Sequence, residues 1–134
     1  MREVRALLEK YGIILKILDL DSPGFYISEI RTMFVSSYLN DFDAIKVILH
    51  EAGHGVLHDD LQEIYKISKF HSKMEYEADY FMMVELVKIY IYLADIDINQ
   101  FNYMQFMEQS ELDLRYQDQV KQIAYEYARH ELFG

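Results

Sequence analysis

The chain has no cysteine. That excludes a disulfide scaffold, thiolate metal sites and a cysteine nucleophile together. Proline occurs once, at Pro23, and glycine five times, so no Pro- or Gly-rich linker divides the sequence. There is no internal repeat or low-complexity tract either, and the 134 residues are expected to form a single domain, 1–134. Basic residues are scarce, with 13 Lys+Arg against 23 Asp+Glu and a net charge of −10. Such a surface repels phosphate backbones and anionic lipid, which argues against direct nucleic-acid or membrane binding. Long hydrophobic runs are missing as well. The most apolar stretch, Tyr80 to Ala94, covers fifteen residues and carries Glu85 and Lys88, too short and too charged to span a bilayer. The opening MREVRALLEKYG has no apolar core of a signal peptide. The expectation is a cytoplasmic protein.

Hydrophobic residues make up 51% of the chain and aromatic residues 15%. A chain of this length buries roughly two thirds of its unfolded surface, enough for a core without covalent staples. Val4, Leu7, Leu8 and Tyr11 share a helical face that ends at Gly12. IILKILDL, GFYISEI after the Ser22-Pro23-Gly24 turn, and RTMFVSS are short and rich in β-formers, which predicts a three-stranded meander. From Asp41 the period changes. Phe42, Ile45, Leu49, Ala52 and Val56 recur at helical spacing, with Asn40 or Asp41 as the cap, so a helix is predicted over 41–57. Residues 59–73 form a polar stretch, expected as a loop with a short helical turn. A long, largely buried helix is expected over Lys73–Leu93, and two more near 99–109 and 112–131. Helix, strands, then helices make an α+β fold, a small three-stranded sheet packed on a helical domain.

The chemistry sits in the helix at 41–57, as His50-Glu51-Ala52-Gly53-His54. Residues four apart lie about 40° and 6 Å apart on a helix. Both imidazoles therefore face one way and can bind one Zn²⁺, with Glu51 beside the remaining coordination position. A mere surface pair of histidines is the alternative. Its weakness is the apolar flank of Val47, Ile48, Leu49, Val56 and Leu57, which buries the helix and obliges the histidines to find partners.

A complete site needs a third ligand, and three residues compete for it. Asp60, ten residues after His50, occupies the metzincin position, but that arrangement needs a glycine where Leu57 stands. His58 continues the i, i+4 series but lies about 12 Å along the axis from His50, which suits a supporting or helix-terminal role. Glu75, in Glu75-Tyr76-Glu77-Ala78-Asp79, offers a carboxylate from a second helix, the gluzincin solution. Asp79 shares its face and could accept a hydrogen bond from a ligating imidazole, whereas Glu77 points about 200° away, toward solvent or another helix. Read without the histidines, the run is an acidic helix start that complements the dipole.

The succession YGI, GFYIS, RTMFVSS, FDAIKVILHEAGHGVLH and EYEADYFMMVELV resembles the ImmA/IrrE family of metallopeptidases over roughly residues 10–93, and more weakly in the C-terminal helices. The resemblance implies His50, His54 and Glu75 as zinc ligands, Glu51 as catalytic base and Asp79 as the support of His50. Many relatives have Asn where this chain has Asp79, and a small Ala where it has Met82. The chain also lacks a recognisable DNA-binding segment, like the short phage and mobile-element branch. The family resemblance implies a zinc endopeptidase of narrow specificity that cleaves a helix-turn-helix repressor and so relieves repression. The rival is an anti-repressor of the same fold that acts by capture with little turnover. For the oxyanion donor, His58, His71, Tyr65 and Tyr76 all remain open.

Overall fold

Helix α1, Arg2–Lys10, buries Val4 and Leu8 on the face that the spacing marks out. It ends where expected: Gly12 turns the chain at φ 67, a left-handed conformation that glycine adopts without a Cβ penalty. The structure, a computed structural model, describes residues 1–59 and 68–133.

Three strands follow, β1 (Ile14–Leu18), β2 (Gly24–Ile27) and β3 (Thr32–Ser36). Their order is β1-β3-β2, with β1 parallel and β2 antiparallel to β3. This corrects the expected meander. β2 and β3 form a hairpin through the 3₁₀ turn Ser28–Ile30 and a left-handed Arg31, so β1 pairs on the other edge of β3, from Ile14↔Thr32 to Leu18↔Ser36. Alternation along a strand specifies its faces but not its neighbours. The central strand is the buried one: Met33 and Val35 are fully covered where β3 meets the next helix.

That helix, α2 (Asp41–Leu57), starts at Asn40, whose side chain accepts the Asp43 amide at 2.8 Å. It buries Ile48, Leu49, Ala52, Gly53 and His54. The long helix α3 runs Ser68–Ala94, five residues earlier than the periodicity predicts, since its polar first turns carry no apolar stripe to read. Asp60, Tyr65 and most of the expected polar loop lie outside the described residues.

The chain divides into two compact units inside α3, at Met82/Met83. The first holds α1, the sheet, α2 and the start of α3. The second holds the rest of α3 with α4 (Tyr103–Gln109) and α5 (Gln117–Phe133). Short 3₁₀ turns at Ile98–Gln100 and Leu114–Tyr116 precede these two helices, which is why each starts later than its apolar pattern suggests. Phe106 is fully buried here, and Tyr90 meets it and Phe101 edge-on at 5.2 and 5.9 Å. The fold class is α+β, as expected. Among the described residues, no helix is long and apolar enough to cross a membrane.

Candidate metal centre

The first unit brings α2 against the start of α3, and a glycine permits the approach. A Cβ at Gly53 would meet Ala78 Cα at 3.0 Å, the Ala78 carbonyl oxygen at 3.1 Å and Phe81 Cβ at 3.2 Å. Two of these three atoms are backbone, which cannot rotate aside. Small residues at 53 and 78 thus let the histidine helix reach the carboxylate helix. Gly53→Val should cost about 1–3 kcal/mol by overpacking and weaken metal binding with it. Chemical denaturation with and without added zinc measures both losses.

Across this contact the side chains converge. His50 Nε2 lies 2.7 Å from Glu75 Oε2, and His54 Nε2 lies 3.3 Å from Glu75 Oε1. The ligand atoms of His50, His54 and Glu75 all fall within 4.8 Å of one another. Zinc–donor bonds of about 2.0–2.1 Å in a tetrahedral site put neighbouring donors about 3.3–3.4 Å apart. The set fits a zinc ion in chemistry, and the His54–Glu75 pair has that spacing, while His50 and Glu75 stand at direct hydrogen-bond distance and would part by about 0.6 Å to admit the ion. Each imidazole is also fixed through its other nitrogen: His50 Nδ1 lies 2.7 Å from Asp79 Oδ1, and His54 Nδ1 lies 3.0 Å from His58 Nδ1. In a metal site such outer contacts set the tautomer and the ring orientation.

Burial and neighbours shape the titration of this group. Burial opposes the charged form of His50, but the Asp79 hydrogen bond and the charges of Glu75, Asp79 and Glu51 outweigh it, and its pKa rises above 6.5. Burial pushes His54 down to about 4, with His50 and His58 assisting against the pull of Glu75. His54 is thus neutral at pH 7, the form a metal ligand requires. Burial lifts Glu51 to about 7, reinforced by Glu75 and opposed by the His50 charge. A cation held by His50, His54 and Glu75 would pull Glu51 back toward its ionised form.

Glu51, His54 and Glu75 line a cleft of about 280 Å³ together with Gly24, Phe25, Tyr26, His58 and Met74. The three β2 residues form one wall. Of the open oxyanion candidates, His58 lines this cleft; His71 and Tyr76 are exposed and are not among its lining residues, and Tyr65 lies outside the described residues. Tyr26 carries no sequence signal that would place it at the site. Its hydroxyl donates to Asp59 Oδ1 at 2.9 Å, while Arg31 Nη1 donates to Asp59 Oδ2 at 2.9 Å. Burial, then the Asp59 hydrogen bond, pushes the Tyr26 hydroxyl up to about 12. Glu77, assigned no partner from sequence, lies with Oε1 3.3 Å from His58 Nε2. The available signal for that pair is His58 itself, one more helical turn after His54 on the same side of α2.

The match with known proteins agrees with this geometry. A family model described as the IrrE N-terminal-like domain, of peptidase family M78, matches residues 9–130. Comparison with curated proteins and with solved structures found nothing that matches. The matched region contains the histidine helix, the carboxylate helix and the three strands that precede them. The chain belongs to the ImmA/IrrE family and has the metallopeptidase type of fold and function.

Proposed function

We propose that this chain is a zinc-dependent endopeptidase of narrow specificity, acting in the cytoplasm on a helix-turn-helix repressor. The observation that carries the catalytic part is the convergence of His50 Nε2 and His54 Nε2 on the Glu75 carboxylate in a cleft that Glu51 also lines. A zinc ion bound by His50, His54 and Glu75 would supply Lewis acidity, lowering the pKa of water toward ~7 and polarising a carbonyl. Glu51 takes the proton of the attacking water as the new C–O bond forms. It returns that proton to the leaving nitrogen as the C–N bond breaks. Asp79 holds the His50 imidazole in place through its Nδ1 atom.

The cleft also suits a peptide. Among the described residues β2 pairs with β3 on one side only, and its residues Gly24, Phe25 and Tyr26 border the cleft. An extended substrate can add to that edge by backbone hydrogen bonds, with the scissile bond beside Glu51. The repressor part rests on the family resemblance and on charge, since a net −10 complements the basic face with which a repressor binds DNA.

Co-expression with a helix-turn-helix repressor, the substrate class that the family resemblance implies, tests the proposal. The repressor should appear as two discrete fragments whose masses sum to the intact mass plus one water. An exposed linker or helix end, where an extended strand can form, is the expected cut. Relieved repression with an intact repressor mass would replace cleavage by capture.

A further inference from the structure

The turn Glu75–Asp79 carries three carboxylates, and the proposed function employs two of them. The third belongs to a chain of contacts that ends on a metal ligand. Glu77 Oε1 lies 3.3 Å from His58 Nε2, and His58 Nδ1 lies 3.0 Å from His54 Nδ1. His58 closes α2, where its amide bonds the His54 carbonyl at 2.8 Å, and it is buried at 3% exposure. The two imidazoles sit 5.2 Å apart between centroids. Every polar atom of the His58 ring thus faces a partner of this cluster.

We propose that His58 is a positioning residue, which orients His54 for metal and connects it to the carboxylate of Glu77. The inference rests on the metal site proposed above and deepens it. Proton bookkeeping fixes its direction. Two nitrogens at 3.0 Å must be one N–H and one lone pair, because two donors or two acceptors repel. A ligating His54 offers its lone pair at Nε2, the atom facing Glu75, so its single proton sits on Nδ1 and is donated to His58. His58 accepts at Nδ1 and therefore carries its own proton on Nε2, which it donates to Glu77. The reverse order would put the proton of His54 on Nε2, where it occludes the metal. His50 reaches the same end directly, through Asp79 at 2.7 Å. One ligand thus leans on a carboxylate, and the other leans on a carboxylate through an intervening imidazole. All three acids of the run are then engaged, with Glu75 toward the metal, Asp79 toward His50, and Glu77 toward His54 by way of His58.

Zinc affinity, measured by competition with a chromophoric chelator, and the absorption spectrum of the Co²⁺-substituted protein test this. His58→Leu fills the buried volume but offers no acceptor to His54. It should weaken zinc binding by about 10–100-fold, the usual cost of losing an outer partner, and shift the cobalt bands. His58→Asn retains an acceptor near the Nδ1 position and should recover most of the affinity and the wild-type spectrum. Glu77→Ala, at a side chain 42% exposed, leaves the core untouched and should shift both readouts in the same direction by less. Nitrogen-15 spectra of the zinc-loaded protein should show His58 protonated on Nε2. A merely structural His58 predicts equal losses for the Leu and Asn variants, and that result overturns the proposal. So does zinc affinity unchanged in Glu77→Ala, the variant that decides if His58→Leu does not fold. Wild type that binds no zinc would sink the metal site itself. Wild type that binds zinc while every variant matches it would sink the positioning role alone.

Discussion

Glu51→Gln should fold, bind zinc as wild type does and still bind its repressor, yet leave that repressor uncut. Gln keeps the length and shape of Glu, and none of the three candidate ligands is altered. The amide cannot take the proton of water at neutral pH, so the general-base contribution is lost, about 10²–10⁴-fold in rate or roughly 3–5 kcal/mol of barrier. The environment sharpens the contrast. Burial lifts the Glu51 carboxyl to about 7, and a cation held by His50, His54 and Glu75 would return it toward the ionised form that a base needs. A glutamine there has no ionised form for the site to tune. Single-turnover cleavage of purified repressor, followed by intact mass, measures the effect. Equal fragment yields from the two proteins would remove Glu51 from the base role. Equal derepression by both, with the repressor intact, would establish capture as the mode of action.

Much of this site is legible in the sequence because it is written in helical spacing. His50 and His54 share a face by periodicity alone, and Glu75 with Asp79 repeats the same i, i+4 relation on the next helix. The structure places both pairs face to face, with His50 against Glu75 and Asp79. Helices α1 and α2 also lie where their apolar stripes and caps put them, because Asn40 and Gly12 are strong local signals. What could not be read is pairwise and non-local. Strand alternation names a buried face for RTMFVSS but cannot say that β3 takes the centre of the sheet with β1 parallel beside it. Tyr26 reaches the cleft because β2 is an edge strand packed against α2, which follows from that topology rather than from any motif. The partner of Glu77 was hidden for a related reason. The helical wheel turns Glu77 about 200° from Glu75, toward solvent or another helix, whereas its carboxylate meets His58 on α2, the helix that Glu75 and Asp79 also face.

Among the carboxylates, the largest loss of metal should come from Glu75→Ala. Its two carboxylate oxygens divide between the histidines, Oε2 at 2.7 Å from His50 Nε2 and Oε1 at 3.3 Å from His54 Nε2. Removing it leaves two neutral nitrogen donors and no anionic one, a set that no longer completes a three-ligand site. Asp79→Ala should give an intermediate loss of about 10–100-fold, because His50 then keeps its place without its hydrogen-bond partner. Glu77→Ala should lose less than either, since it acts two contacts away from the ligand His54. The same order should appear in thermal stability measured with zinc. Ligand at 100 times its dissociation constant stabilises a folded chain by about 2.7 kcal/mol, and a variant that cannot bind gains none of it. Heating scans with and without zinc therefore report the ligand set independently of any peptidase assay. Asp60→Ala supplies the decisive control. Metal lost from Asp60→Ala and retained by Glu75→Ala would assign the third ligand to the segment after α2, the metzincin arrangement. Leu57 opposes that outcome, because a helix continuing through it, with His58 as its cap, lacks the glycine turn that would bring Asp60 back to the metal.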